Sequence, residues 1–99
     1  MSVNAYLISM VINMNVDKIK EMIIATLVVP MSEWQLVVDI KDKLGLSPNQ
    51  VFDFMYGEFA VAFNSLKQDK LVLYSHNEWA DCGPGNGLGV LVYYKKANV

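Results

Sequence analysis

Apolar residues recur with helical spacing through most of the first two thirds of the chain, and two positions there carry complete helix-start signals. Ser32 is followed three residues later by Gln35, and Ser47 is followed three residues later by Gln50. In such a capping box the serine oxygen accepts a backbone N–H, and the glutamine caps the N–H of the serine. Gly45 lies between the two starts, where a helix would end in a left-handed residue. The pattern therefore predicts a helix, a tight turn through Gly45 and a second helix.

The first of these helices is predicted over residues 33–44, and the second begins with a proline at its first helical position, where the missing N–H costs nothing. Its apolar pattern continues to Gln68 but is interrupted by Gly57. Glycine costs about 1 kcal/mol in a helix interior. The sequence therefore allows either one long helix kinked at Gly57 or a break into two helices, over 48–56 and 58–68.

An earlier helix is predicted over residues 16–29, with Asn15 as its cap. The helix should end before Pro30, because the residue preceding a proline avoids the helical region. The two valines just before the proline would also suit a very short strand. This segment thus supplies one more helix ahead of the turn through Gly45.

Residues 3–14 are apolar at nearly every position. Their length and β-branched content allow a buried strand or a buried helix, and periodicity does not decide between them, although we favour a helix. A segment that is apolar all round is hard to bury within one small domain. We therefore expect the apolar N-terminal segment, residues 1–15, to serve either as core or as a dimerisation element.

The last third of the chain changes to a strand pattern. Residues 71–75 and 89–96 are β-rich, and residues 76–87 between them are rich in glycine, proline and asparagine. These three segments predict a β-hairpin with a long tip. With no linker or repeat in the sequence, residues 1–99 are expected to form a single α+β domain that is mainly helical.

Charge and residue counts limit the classes of function. The chain has eight lysines and no arginine against ten acidic residues, for a net charge of −2. Cys82 is the single cysteine, so no internal disulfide can form and a cytoplasmic setting is expected. No apolar run reaches the roughly 18–20 residues of a membrane span, so no membrane partner is expected. Because His76 is also the single residue of its type, and a metal site needs about four ligands, we expect no enzyme, metal or cofactor.

The phrase from Asp39 to Pro48 resembles the centre of the helix-turn-helix of DNA-binding proteins, in which the second helix enters the major groove. That motif usually carries a small residue where Lys41 stands, so Lys41 should snorkel out of the helix crossing or open it. The apolar residues expected inside the angle between the two helices are Ile40, Leu44, Leu46, Val51 and Phe54.

The order of three helices and a C-terminal hairpin over residues 16–96 resembles the winged helix-turn-helix superfamily, including PadR-like and similar transcriptional regulators. The run from Leu66 to Val72 resembles the exit from the recognition helix into the first wing strand. Trp79 in one arm of the hairpin and Tyr93-Tyr94 in the other resemble a wing. The resemblance implies a small regulator that binds duplex DNA. The apolar N-terminal segment would join two copies of it into a homodimer.

For such a regulator, Asn49 and Gln50 have side chains suited to adenine edges, and Tyr56 has one suited to phosphates. Asn49 and Gln50 also have a plainer interpretation, as residues that only serve the helix start. Lysines after the second helix and at the end of the hairpin would form a positive rim. The candidate DNA-binding residues are Ser47, Asn49, Gln50, Tyr56, Lys67, Lys70, Lys95 and Lys96.

A second hypothesis follows from the acidic charge, the absence of arginine and the high apolar content. These features favour a non-enzymatic protein-interaction module on the same winged-helix-like scaffold. A small inhibitor or adaptor from a virus or a plasmid, or from another mobile element, would have this character. A stoichiometric protein partner would then replace DNA.

Overall fold

The structure is a computed structural model that describes the backbone of residues 3–98 and the side chains of residues 15–98. It has the predicted α+β class, with helices and a three-stranded antiparallel sheet. The elements in chain order are α1 (Val3–Thr26), β1 (Met31–Ser32), α2 (Glu33–Leu44), α3 (Val51–Tyr56), α4 (Glu58–Gln68), β2 (Val72–Asp81) and β3 (Leu88–Lys96). One 3₁₀ turn, Pro48–Gln50, precedes α3.

The predicted helix over 33–44 and the turn after it are confirmed. The backbone N–H of Gln35 donates to Ser32 Oγ at 3.2 Å, which caps the start of α2. At its end Gly45 adopts φ 70° and ψ 26°, in the left-handed region that glycine enters without a Cβ penalty. The N–H of Leu46 then donates to the carbonyl of Lys41 at 3.0 Å, which closes the turn.

The side chain of Lys41 ends at the exposed carboxylate of Asp42, with a distance of 2.9 Å between Nζ and Oδ1. The neighbouring Ile40 is fully buried. The lysine stem therefore runs outward and its charge stays at the surface, as snorkelling requires. Of the five apolar residues expected between the helices, three are buried and two, Leu44 and Leu46, are packed against the core while partly exposed.

The core is formed mainly by α1, α2 and α4. Phe59 and Phe63 are almost completely buried, and their rings stack with centroids 5.4 Å apart. Tyr94 on β3 meets the Phe63 ring edge-on at 5.0 Å. Burying each such aromatic side chain contributes about 1.5–3 kcal/mol. This aromatic contact joins the sheet to the helices.

The sheet has the strand order β1–β3–β2. Met31 lies opposite Tyr94 and Ser32 lies opposite Tyr93, so β1 pairs with the last part of β3. β2 and β3 form the predicted hairpin, with a bulge between Tyr74 and His76. The short strand thus connects the start of α2 directly to the end of the hairpin.

Three predictions at the N-terminal end are wrong. The expected helix start at Asn15 does not exist, because α1 runs without interruption from Val3 to Thr26 and contains Asn15. The helix also ends at Thr26 and not at residue 29. The N–H of Val28 donates to the Thr26 carbonyl at 2.8 Å, a bond that does not belong to the helix. The short strand is Met31–Ser32, not the two valines before the proline, because Met31 is buried and pairs with β3.

The backbone of residues 3–14 belongs to α1, as we favoured. The choice between core and dimerisation for the segment 1–15 rests mainly on side chains that lie outside the described residues. From Val16 onward one side of α1 is buried, with Ile19 and Ile23 in the core, and Leu27 directly after the helix is buried as well. These residues follow the 3–4 residue spacing of an amphipathic helix.

Of the two alternatives at Gly57, the structure has the break. The backbone there takes φ −104° and ψ −107°, which separates α3 from α4. A Cβ on this residue would lie 2.7 Å from the carbonyl oxygen of Asp53, so the close approach requires glycine. After the break α4 packs against α1, and Phe59 and Phe63 lie in the core.

The hairpin is longer than predicted. β2 continues through Asp81, and β3 begins at Leu88, so the first half of the expected loop over 76–87 is strand. Cross-strand partners such as Trp79 and Val90 extend the ladder well beyond the core. The tip shrinks to residues 82–87, closed by a bond from Cys82 N–H to the Gly87 carbonyl at 3.0 Å.

Candidate nucleic-acid interface

Three of the candidate residues lie together at the start of the 3₁₀ turn that leads into α3. Ser47, Asn49 and Gln50 are all exposed. The Gln50 side-chain oxygen accepts the Ser47 N–H at 2.8 Å, and Ser47 Oγ–H donates to the same oxygen at 3.2 Å. Gln50 therefore has the capping role of the plainer interpretation. Among the described side chains, Asn49 forms no hydrogen bond, so its amide faces solvent.

Four lysines lie at the base of the hairpin, with Lys95 and Lys96 on opposite faces of β3. We call them the basal lysines: Lys67, Lys70, Lys95 and Lys96. The strand register places Lys95 opposite Leu73 and Lys96 opposite Val72, just after the turn that ends α4. The N–H of Ala97 also donates to the Leu71 carbonyl at 3.0 Å, which holds the end of β3 against this turn. Residues far apart in the sequence are thereby brought to one end of the sheet.

Lys67 is held in place by aromatic rings rather than by a carboxylate. Its ammonium lies 4.9 Å from the centroid of the Phe63 ring and 5.6 Å from that of Tyr94. A cation in this position is attracted by the negative faces of the rings, by about 0.5–1 kcal/mol at an exposed site. The contact fixes one positive charge above the junction between helices and sheet.

The basal lysines take no part in the ion pairs found among the described side chains. Those pairs join Lys20 to Asp17, Lys41 to Asp42 and His76 to Glu78. The four ammonium groups therefore keep their charge available at the base of the hairpin. A local concentration of lysines can bind phosphates even in a chain whose net charge is negative.

Tyr56 lies apart from the lysines, in an arrangement that the sequence reasoning did not foresee. Its ring stacks on Phe52 with centroids 6.4 Å apart, and Phe52 stacks on Trp34 at 6.2 Å. We call these three residues the aromatic row. Their exposed fractions are 47% for Trp34, 60% for Phe52 and 73% for Tyr56. The available signal was the i, i+4 spacing of Phe52 and Tyr56, which puts both rings on one side of α3.

Acidic groups lie beside the start of α3. Asp53 is exposed one residue after Phe52, and Glu58 is partly exposed at the start of α4. Neither carboxylate forms an ion pair with a described side chain. The candidate residues thus divide into three groups: the exposed helix start, the basal lysines and the aromatic row. The acidic groups lie near the exposed helix start.

The hairpin outside the core presents apolar residues to solvent. Trp79 is 73% exposed and Leu88 is 68% exposed, and their partners place both on one face of the hairpin. On the other face, the His76 ring stacks on Tyr93 at 4.8 Å, and its Nε2 lies 2.7 Å from Glu78 Oε2. The exposed end of the hairpin is therefore mainly an apolar surface.

Comparison with known proteins gives no relative from which a function could be inferred. No protein-family model matches the chain, and no curated protein or solved structure is significantly similar to it. Within residues 3–98, no helix is long and apolar enough to cross a membrane. Among the described residues, no group of histidine, cysteine and acidic side chains is arranged to hold a metal ion.

Proposed function

We propose that this chain is a winged helix-turn-helix protein that binds duplex DNA and acts as a transcriptional regulator. In this proposal α2 and α3 form the helix-turn-helix and the hairpin of β2 and β3 is the wing. The start of α3 enters the major groove, where Asn49 reads base edges. The basal lysines contact phosphates.

One observation carries the proposal: β1, directly before α2, pairs with β3, and β3 pairs with β2. The elements follow one another as helix, short strand, helix, turn, two helices broken at Gly57, and hairpin. This order resembles that of a winged helix in which the helix before the wing is divided in two. The strand order brings the end of the hairpin next to the start of α2. Because a fold alone does not determine a function, the basal lysines supply the second support. They concentrate positive charge at the base of the proposed wing.

We further propose that the protein binds DNA as a homodimer. Two copies would double the number of lysines that face one duplex, which compensates for the net charge of −2 on each chain. Sedimentation velocity at several protein concentrations measures the state directly. A monomer over the whole concentration range contradicts this part of the proposal.

DNA binding is tested by fluorescence anisotropy with a labelled duplex of mixed sequence. We expect binding at about 50 mM salt that weakens steeply by about 200 mM, because each neutralised phosphate releases condensed counterions. The slope of log affinity against log salt becomes shallower by about 0.9 for every phosphate that a variant no longer neutralises. No binding at low salt, or binding that does not respond to salt, rules the proposal out.

A charge-matched pair of variants locates the residues that bind phosphate. Lys70→Gln with Lys95→Gln removes two basal lysines, and Lys18→Gln with Lys20→Gln removes two lysines of α1. We expect the first variant to reduce the salt slope by about 3.6 when a dimer binds, because two lysines are lost from each chain, and the second to leave it nearly unchanged. An equal reduction in both variants would mean that net charge, and not the basal lysines, governs the affinity.

The aromatic row favours a second candidate function, a protein-interaction module. Exposed tryptophan and tyrosine are enriched in the energetically dominant parts of protein interfaces. In a pull-down with the intact chain, this function requires a stoichiometric protein partner and no retained DNA. The partner should no longer bind after Trp34→Ala and should still bind after Trp79→Ala, which removes an exposed tryptophan elsewhere.

A further inference from the structure

A cleft of about 520 Å³ lies between α1, the turn after α2, and the junction of α3 with α4. Ile19 contributes from α1, Leu46 from the turn and Phe54 from α3. Three separate elements thus form its walls. The volume falls within the range of about 300–1,000 Å³ typical of small-molecule sites.

The walls of the cleft are apolar, and their side chains are held by the core. Ile19 and Phe54 belong to the buried core, and Leu44 and Leu46 pack against that core while remaining partly exposed. Leu44 ends α2 and Leu46 follows Gly45, and the turn between them is closed by the hydrogen bonds around Gly45. The apolar wall is therefore formed before any ligand arrives, which reduces the entropy cost of binding.

The rim of the cleft carries an excess of negative charge. Asp53 and Glu58 contribute carboxylates, and Lys18 contributes the single ammonium among the lining residues. The formal charge of the lining is therefore −1. Neither carboxylate is paired with a described side chain, so both remain able to accept a charged donor.

We infer that this cleft is a binding site for a small organic amine with an apolar ring or branched chain. The hydrocarbon part contacts Ile19, Leu44 and Leu46, and the ammonium lies between Asp53 and Glu58. A carboxylic acid of the same shape is disfavoured, because the two rim carboxylates repel it. The site is separate from the basal lysines and does not depend on DNA binding.

The test uses 1-naphthylmethylamine and 1-naphthoate, which present the same ring system with opposite charges. The full chain, labelled with ¹⁵N, is titrated with each compound and followed by ¹H–¹⁵N correlation spectra. We expect the amine to shift the amide signals of Ile19, Leu46 and Gly57 in a saturable way. The naphthoate should bind at least about fivefold more weakly, the factor that one exposed ion pair of about 1 kcal/mol supplies. No saturable shift with the amine, or equal binding of the two compounds, overturns the inference.

A matched pair of variants tests the role of the rim. Asp53→Asn with Glu58→Gln neutralises both carboxylates, whereas Glu21→Gln with Asp69→Asn makes the same charge change at two exposed positions outside the cleft. Each exposed pair contributes a factor of about two to five, so the rim variant should bind the amine about tenfold more weakly. The control should bind within about twofold of the unmodified chain.

The spectra of both variants without ligand show whether the chain still folds. Equal weakening in the rim variant and the control contradicts the assignment of the two carboxylates. The comparison of amine with naphthoate on the unmodified chain tests the site even if a variant fails to fold. Because no DNA is present in these measurements, their outcome is independent of the proposed function.

Discussion

The carbonyl oxygen of Asp53 occupies the space into which a side chain on Gly57 would extend, 2.7 Å from an ideal Cβ. The break between α3 and α4 therefore depends on glycine at this position. Alanine at position 57 must move the Asp53 carbonyl or open the junction. We expect Gly57→Ala to lower the free energy of unfolding by about 1–3 kcal/mol, the range for overpacked sites.

Urea denaturation followed by circular dichroism measures this destabilisation. Asn64→Ala is the control, because Asn64 is an exposed residue of α4 and alanine is the stronger helix former there. The control should be neutral or slightly stabilising. A fully stable Gly57→Ala variant would show that the two helices can realign without cost.

The two serine caps differ in the partner of the serine side chain, which leads to a prediction about their energies. Ser32 Oγ accepts a backbone N–H, whereas Ser47 uses its own backbone N–H to bond Gln50. Ser32→Ala removes a cap and should cost about 1 kcal/mol. Ser47→Ala keeps the backbone bond, so its cost should stay below about 0.5 kcal/mol. Equal destabilisation of the two variants in thermal denaturation would contradict this assignment.

Tyr94 and its cross-strand neighbour Tyr74 provide a matched pair on the sheet. Tyr94 packs edge-on against Phe63 and lies under Lys67, while Tyr74 is 57% exposed. We expect Tyr94→Ala to cost about 2–4 kcal/mol, since it removes the aromatic contact between sheet and helices. Tyr74→Ala should cost less than about 1 kcal/mol. Chemical denaturation of the two variants, compared at the same temperature, gives both values.

Asn49 allows the proposed base reading to be separated from folding. Its side chain forms no hydrogen bond among the described residues, so Asn49→Ala should change stability by less than about 0.5 kcal/mol. If Asn49 pairs with an adenine, the variant should lose about 1–3 kcal/mol of discrimination at one base position. Selection from a random-sequence duplex library, followed by affinity measurements, detects the change. An unaltered sequence preference would exclude Asn49 from base reading.

The sequence signals around Gly45 correctly predicted α2 and the turn that follows it. A cap and a left-handed glycine act within four residues, so Ser32 and Gly45 could be interpreted from sequence alone. The prediction of a helix cap at Asn15 also rested on a local signal, and it was wrong. Asparagine also occurs within helices, at a cost of under about 1 kcal/mol. Only the continuity of α1 through Asn15 shows which role it has.

Features that depend on contacts between residues distant in the sequence could not be predicted from the sequence. The extension of β2 through Trp79 depends on pairing with Val90, and the position of β1 depends on pairing with Tyr94. The sequence predicted one set of DNA-binding residues that joined the helix start, Tyr56 and the lysines. In the structure Tyr56 belongs to the aromatic row. The partner of Tyr56, Phe52, is itself stacked on Trp34 from another helix, and no periodicity within one segment reveals such a contact.

The shortness of β1 has a consequence for how the protein behaves at high concentration. Because β1 pairs with only Tyr93 and Tyr94, residues 88–92 of β3 have no neighbouring strand on that side within the described residues. Unpaired strand edges with apolar side chains are templates for intermolecular β-sheet growth. The carboxylates of Glu78 and Asp81 on the adjoining strand oppose such stacking through like-charge repulsion. Resistance to aggregation should therefore decline at high salt, where those charges are screened.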